Sequence, residues 1–340
     1  MEPPVQLCRR RGVIVLVLSR ADVEAVLNLD RLLDAVAAAM ADLSRGRASM
    51  PPRVAASVPD RHAILAAMPA FLPSAGSLCA KLVSLFPENT GRPTHQAIIC
   101  CFDAVTGTPA ALMDGTYVTA ARTAAGSALA TRLLARAGAS VVSVIGTGVQ
   151  AQAHARALSR LSGIETVQIA GRDHGKAVAL AGQLAAAGIR AQAVASIEDA
   201  VRRADVVCAV THADRPVVRR EWLRPGTHVN SVGYNAAGQG EVDTDTVRDA
   251  VVVVESRTAV LAAPPSGAVE LRRAIEAGVI GADHVRAEIG ELLAGDRAGR
   301  TDPGQLTLYK SVGVGVQDAA AAAVVLQGAR DRGAGLQIEL

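Results

Sequence analysis

The chain has 340 residues, half of them apolar and 20% charged, with a net charge of +3. That length suggests about two domains, and the apolar content is too high for a disordered chain. Seven aromatic residues (one Trp, three Tyr, three Phe) and a single short basic run, Arg9-Arg10-Arg11, argue against nucleic acid as the main partner. No apolar stretch approaches the roughly 18 residues of a membrane span, so no membrane partner is expected.

The N-terminal part mixes element types. Val13–Leu18 reads as a strand; it follows three arginines, but it is too short for a signal-peptide core and no small-residue cleavage site follows. Ser19 is expected to cap a short helix through Leu27, and Asp30 a second one through Leu43, ended by Gly46. Met50-Pro51-Pro52-Arg53 is a rigid extended break. Alternating segments follow at Val54–Val58, Ala63–Met68, Leu78–Leu85 and Gln96–Asp103, separated by turn residues, which predicts antiparallel strands. A long helix is predicted over Thr119–Ala137, closed by Gly138.

From Val141 the texture changes. Val141–Ile145, Thr166–Ala170, Ala191–Ala195, Asp205–Val210, His228–Val232 and Ala250–Glu255 read as short buried strands. Helices are predicted following Gly146–Ala151 as far as Leu161, over Lys176–Ala187 and over Ile197–Arg203, and this alternation means βαβ units and a parallel sheet. An alanine-rich helix over Asp318–Gly328 closes the chain. The five cysteines, Cys8, Cys79, Cys100, Cys101 and Cys208, are odd in number and lack a CxxC pair; free thiols in a reducing cytoplasm are expected, with Cys100 and Cys101 on opposite strand faces. The seven histidines show no metal-ligand spacing, and no metal site is expected.

Gly146-x-Gly148-x-x-Ala151 fits the G-x-G-x-x-G/A dinucleotide fingerprint and lies between a strand and a helix. Gly146 permits the tight turn, Gly148 lets the backbone approach a pyrophosphate, and the helix N-terminus favours its charge. After the second strand comes Gly171-Arg172-Asp173. Glycine replaces the acidic residue that would repel a 2′-phosphate, and Arg172 supplies a planar cation, so NADP(H) is expected, with NAD(H) possible if Asp173 takes the ribose.

Several further motifs carry a resemblance. They are Met50-Pro51-Pro52-Arg53, Lys81-Leu82-Val83-Ser84, Gly91-Arg92-Pro93-Thr94, Leu112-Met113-Asp114-Gly115, Thr119-Ala120-Ala121-Arg122-Thr123, Gly146-Thr147-Gly148-Val149-Gln150, Asn230-Ser231-Val232-Gly233 and Tyr309-Lys310-Ser311-Val312-Gly313. Together they resemble the ornithine cyclodeaminase/μ-crystallin family nearly end to end. The resemblance implies an α/β fold: a central Rossmann domain (128–312) and a discontinuous α/β substrate and dimerisation domain (1–127 and 313–340) forming a β-barrel across a homodimer interface. It also implies hydride exchange between a nicotinamide and the α-carbon of an amino acid or cyclic imine. Arg53 and Arg122 match carboxylate binders, which suits a cationic fork that fixes the α-carbon against the ring. Lys81 matches a carboxylate contact or proton relay. Thr94, Arg122, Thr123, Gly146, Gly148, Val149, Gln150, Arg172, Thr211, Val232 and Ser311 match the cofactor side. Asp318 either orders a water or sits as a carboxylate at a helix N-terminus.

One departure bears on the reaction. Ornithine cyclodeaminases follow the Asn-x-Val-Gly strand with a catalytic Asp and then Pro-Gly-Lys, whereas this chain has Asn235 in place of the Asp and Gln239 in place of the Lys. An amide does not protonate near neutral pH, so it is no general base. The resemblance therefore implies an imine reductase that converts Δ1-pyrroline-2-carboxylate and Δ1-piperideine-2-carboxylate to proline and pipecolate, with Asn235 bonding the imine nitrogen or a water. An alanine-type dehydrogenase, the cyclodeaminase itself and a non-catalytic NADPH-binding protein are the alternatives. Arg122→Ala is expected to remove turnover without disturbing the fold.

Overall fold

The computed structural model describes residues 12–235, 238–263 and 266–340. Cys8, the basic run at 9–11, Ala236 and Ala237 lie outside them. The first part of the chain runs β1 (Ile14–Leu18), α1 (Arg20–Val26), α2 (Leu29–Ser44), β2 (Val54–Val58), β3 (Ala63–Leu72), β4 (Ser77–Leu85), β5 (His95–Phe102) and β6 (Pro109–Asp114), then the long helix α3 (Gly115–Leu134). The middle runs β7 (Val141–Ile145), α4 (Val149–Leu158), β8 (Thr166–Ala170), α5 (His174–Ala186), β9 (Ala191–Ala193), α6 (Ile197–Arg203), β10 (Val206–Ala209) and β11 (His228–Ser231). It continues with α7 (Thr244–Asp249), β12 (Ala250–Val254), α8 (Arg257–Val260), α9 (Val269–Glu276), β13 (Val285–Glu288), α10 (Ile289–Leu293) and β14 (Leu306–Lys310); α11 (Gly315–Arg332) and β15 (Leu336–Glu339) close the chain.

Two sheets result. One has seven strands in the order β15-β1-β6-β5-β4-β3-β2; its last five strands are antiparallel, as the alternation predicts. The other has eight, all parallel, in the order β13-β12-β14-β11-β10-β7-β8-β9. Strand order reverses at β7, whose neighbours β8 and β10 lie on opposite sides. A crevice therefore opens at the carboxyl ends of β7 and β10, where doubly wound sheets bind ligands.

Helix α3 lies between the two halves, which its sequence allows. Its alanines are small enough to be buried on both sides: Ala121 and Ala125 join the core of the seven-stranded sheet, while Ala124 and Ala128 join the core beneath β7 and β8. Ser127 Oγ meets His154 Nε2 of α4 at 3.0 Å, and both residues are fully buried.

Several boundaries differ from those expected. Asn28, not Asp30, caps α2, because its Oδ1 accepts the amides of Asp30 and Arg31 at 3.0 Å each. Asp114 starts α3 four residues early by accepting the Tyr117 amide at 2.8 Å; the helix ends at Leu134, and Gly138 belongs to the following turn. Helix α11 runs from Gly315 to Arg332, longer at both ends, with Gly333 as its left-handed stop. Strands β6, β13, β14 and β15 were not anticipated. Cys79, Cys100, Cys101 and Cys208 are free thiols, with Cys101 buried and Cys100 half-buried on the opposite face. Among the described residues no helix is long and apolar enough to cross a membrane.

Candidate active site

The first turn of α11 carries Asp318, which is fully buried. Lys81 Nζ from β4 lies 2.8 Å from its Oδ2, and Arg122 Nε from α3 lies 3.0 Å from its Oδ1. Arg122 also donates to Gln317 Oε1 at 2.9 Å, and Gln317 Nε2 donates to Glu255 Oε1 at 3.0 Å. Glu255, just past β12, gathers the Ser311 hydroxyl at 2.9 Å and the Val312 and Gly313 amides at 2.8 Å each. From the other side Arg53 donates to the Val312 and Gly313 carbonyls at 2.8 Å each. The segment 311–313 is thus held by its amides to an anion and by its carbonyls to a cation. Gly313 has φ +77°, and a Cβ there would lie 2.9 Å from Arg122 Nη2. Glycine is therefore required twice over, by conformation and by contact.

Three cations thus converge around one buried carboxylate, with Glu255 behind. Burial, and then the Arg122 charge, bring Lys81 down to about 8, although Asp318 pulls the other way. Burial and the same Arg122 charge lower Arg53 as well. Burial works to raise Asp318, but Arg122 and Lys81 outweigh it and hold the carboxyl below its ordinary range. Such a cluster has the charge to pair with a carboxylate, and the lowered Lys81 amine gives up its proton more readily than an ordinary lysine.

The glycine turn sits in the crevice between β7 and β10. Gly146 has φ +133°, and a Cβ there would lie 3.0 Å from the Val210 carbonyl oxygen. Gly148 is the N-cap of α4 and brings no side chain to it; a Cβ there would meet nothing within 4 Å. Val149 is 57% exposed beside it, and Gln150 Oε1 is buried without a partner among the described residues. Open helix amides above a side-chain-free cap suit a pyrophosphate. At the end of β8, Gly171 is close against Thr147, whose Cγ2 would lie 3.0 Å from a Cβ, so a carboxylate at 171 would displace it. Arg172 is exposed there, and Asp173 is committed to capping α5 through the Lys176 amide at 3.1 Å.

The model of the ornithine cyclodeaminase/mu-crystallin family matches residues 14–333. The chain belongs to that family. The Δ1-pyrroline-2-carboxylate reductase of Thermococcus litoralis, solved with NADH and L-proline, is 35% identical with a TM-score of 0.91, covering 95% of this chain and all of that one. An archaeal alanine dehydrogenase dimer with bound NAD is 34% identical with a TM-score of 0.87, covering 96% and 99%. The mouse (Mus musculus) ketimine reductase mu-crystallin is 34% identical over 86% of this chain and 90% of its own.

Not every motif residue of this family member lies in the cation cluster. Thr94 is exposed at the start of β5, and Thr123 turns its hydroxyl back to the Thr119 carbonyl at 2.6 Å. Thr211 gives its amide and hydroxyl to the buried Glu241, which also accepts the amides of Val232 and Gly233. Burial raises the Glu241 carboxyl. Asn235 Nδ2 donates to Asp214 at 2.9 Å. Lys310 Nζ lies 2.9 Å from Glu270, both buried. Glu241, Glu255, Glu270 and Gln317 were missed by sequence reasoning. Glu255 alone had a local signal, a carboxylate ending a run of valines.

The expectation that Arg122→Ala spares the fold is corrected by this geometry. Removing the guanidinium leaves Asp318 buried with one partner, at a cost of about 3–5 kcal/mol. Calorimetry of Arg122→Ala is expected to show a thermal midpoint lowered by roughly 5–10 °C, partly restored in the Arg122→Met/Asp318→Asn pair. A midpoint equal to the parent's would mean that the ion pair is not formed.

Proposed function

We propose that this chain is a nicotinamide-dependent reductase of cyclic imino acids, converting Δ1-pyrroline-2-carboxylate and Δ1-piperideine-2-carboxylate to proline and pipecolate. The observation that carries this reading is the sharing of Asp318 by Lys81 and Arg122 beside Arg53. Arg53 and Arg122 hold the α-carboxylate and so fix the C=N carbon in place. When bound, the nicotinamide supplies a hydride for that carbon. Lys81 Nζ releases the proton that the nitrogen takes up, and Asp318 keeps the amine oriented. Asn235, where a cyclodeaminase has its Asp, supports reduction over ammonia loss from ornithine. The likeness to alanine dehydrogenase supports a second reading, in which ammonia and a keto acid provide an acyclic imine.

Gly146, Gly148, Val149 and Gln150 would hold the pyrophosphate, and the Glu241-tied loops at Thr211 and Val232 would border the nicotinamide. Ser311 borders the same half through Glu255. Gly171 and Arg172 support NADP(H) as the preferred form, with NAD(H) also accommodated. We divide the chain into a substrate domain (1–127 and 313–340) and a dinucleotide domain (128–312). We also assign a homodimer closed by an intersubunit β-barrel. The outer face of the seven-stranded sheet supports it: Val54 is 67% exposed, Leu65 49% and Ile98 43%. The free thiols support a cytoplasmic setting.

The deciding assay is oxidation of NADPH and NADH with both cyclic imino acids, with and without ammonia. Ammonia-independent oxidation is expected, and Arg172→Ala is expected to shift the preference toward NADH; strict ammonia dependence would favour the dehydrogenase. Because Lys81 is protonated below about 8, kcat/KM is expected to fall above that pH. Lys81→Met should lose about 100-fold or more, and Lys81→Arg should lose the fall between pH 8 and 10; if the fall persists in Lys81→Arg, another group donates the proton. The double variant Leu65→Lys/Ile98→Lys is expected to run as a monomer in light scattering, and an unchanged dimer would move the interface elsewhere.

A further inference from the structure

The face of the seven-stranded sheet that carries Lys81 holds a second nitrogen group. Strand pairing sets Met68, Lys81 and Ile99 side by side in one row. The next row is Ala66, Val83 and Ala97, and the one after it is Ile64, Leu85 and His95. Residues two apart share a face, so all three rows look the same way. Helix α11 covers the sheet on one side of this series: Ser77 Oγ donates to the Ala319 carbonyl, and Gly315 lies against Ala70 and the Pro69 carbonyl. Asp318 marks its edge at the Lys81 row. Beyond that edge the middle row has two alanines and a valine, buried and packed together with Met68, with Gly115 of α3 close against Ala97.

His95 closes the series. Its row lies two rows from Lys81, about 13 Å along the strand. Burial, then the charges of Lys81 and Arg122, bring His95 down to about 4. The imidazole, on the same sheet face as Lys81, is therefore neutral and presents one donor and one acceptor. Charge counting points the same way. Arg53, Lys81 and Arg122 against Asp318 and Glu255 leave one positive charge, which a single α-carboxylate balances. A further group on the ligand then meets a hydrogen-bonding ring across a floor of small side chains.

We infer that His95 forms the far wall of the substrate's side-chain subsite and selects α-imino or α-keto acids whose side chain ends in a hydrogen-bond acceptor. This rests on the α-carboxylate being held at Arg53, Lys81 and Arg122. An apolar substrate needs only the middle row and gains nothing from the imidazole. An acceptor-bearing substrate pairs with it, and loses that bond when the ring is replaced.

The test compares oxaloacetate, its 4-amide and pyruvate, each with ammonia and NADPH, in the full-length protein and in His95→Leu. Δ1-Pyrroline-2-carboxylate serves as the substrate without a distal acceptor. The parent is expected to prefer oxaloacetate or its amide over pyruvate, a preference for both marking a neutral acceptor and for oxaloacetate alone a carboxylate. His95→Leu is expected to lower that ratio about 10-fold and to leave the cyclic imine within about threefold. His95→Gln, which keeps a donor, should retain most of the preference. Calorimetric Kd values for oxaloacetate and pyruvate on the NADP+-loaded protein are read in parallel. Absence of turnover with every probe would sink the reductase reading, while the Kd ratio still decides the subsite. An oxaloacetate-to-pyruvate ratio that His95→Leu leaves unchanged overturns the inference.

Discussion

A carboxylate with no exposure to water ties β4 and α3 to the start of α11. Asp318 is ionised only because Lys81 and Arg122 both reach it. Taking such charges out of water costs several kcal/mol per ion, and their attraction repays that only with good geometry. An apolar trio of the same volume would serve stability as well or better. The arrangement is better understood as a stored excess of positive charge: two cations share one anion, and Arg53 adds a third that bonds only to carbonyls among its described contacts. The proposed grip on a small acid rests on that excess.

The second constraint is the segment at 311–313. Its amides point to Glu255 and its carbonyls to Arg53, so the chain crosses from β14 to α11 along a fixed line. That line decides where Asp318 emerges, five residues after Gly313. Gly313 sits against the Arg122 guanidinium at a distance no side chain would allow. Backbone path and side-chain position are therefore set by the same few contacts. Gln317 joins them by bonding both Arg122 and Glu255.

What the sequence made legible follows from the range of the interactions. The strand–glycine–helix turn at Gly146 is local, and its neighbours announce it: a buried strand before, an alanine-rich helix after. The parallel sheet was legible from the same alternation. The helix cap at Ser19 is also local and acts within three residues. Asn28 was passed over for Asp30 because two capping residues stood two positions apart, and only the amide geometry chooses between them. Strands β14 and β15 owe their pairing to partners far along the chain, so their short mixed sequences gave little sign. Arg53, Lys81 and Arg122 were found through family motifs. Their anchor was less legible, since a carboxylate in a first helical turn has an ordinary reading in the helix dipole. Glu255, Glu241 and Gln317 act on residues 8 to 195 positions away, and of the three only Glu255, at the end of a run of valines, had a local pattern to mark it.

Helix α3 explains why the two halves of the site stay in register. One turn of it faces Asp318 through Arg122, and the next packs on α4, whose N-terminus is the glycine turn. The contact between Ser127 and His154 lies within that packing, and burial brings His154 down to about 4, so the imidazole stays neutral. Burial is the main reason, and the Arg122 charge adds to it by disfavouring a second cation. Small residues make the arrangement possible: Gly126 admits Tyr309 and Gln317 at distances where a Cβ would be tight. The alanine and glycine content of this helix thus has a mechanical consequence. It sets the Asp318 cluster and the glycine turn against one helix, so that a change in the tilt of α3 would move both together.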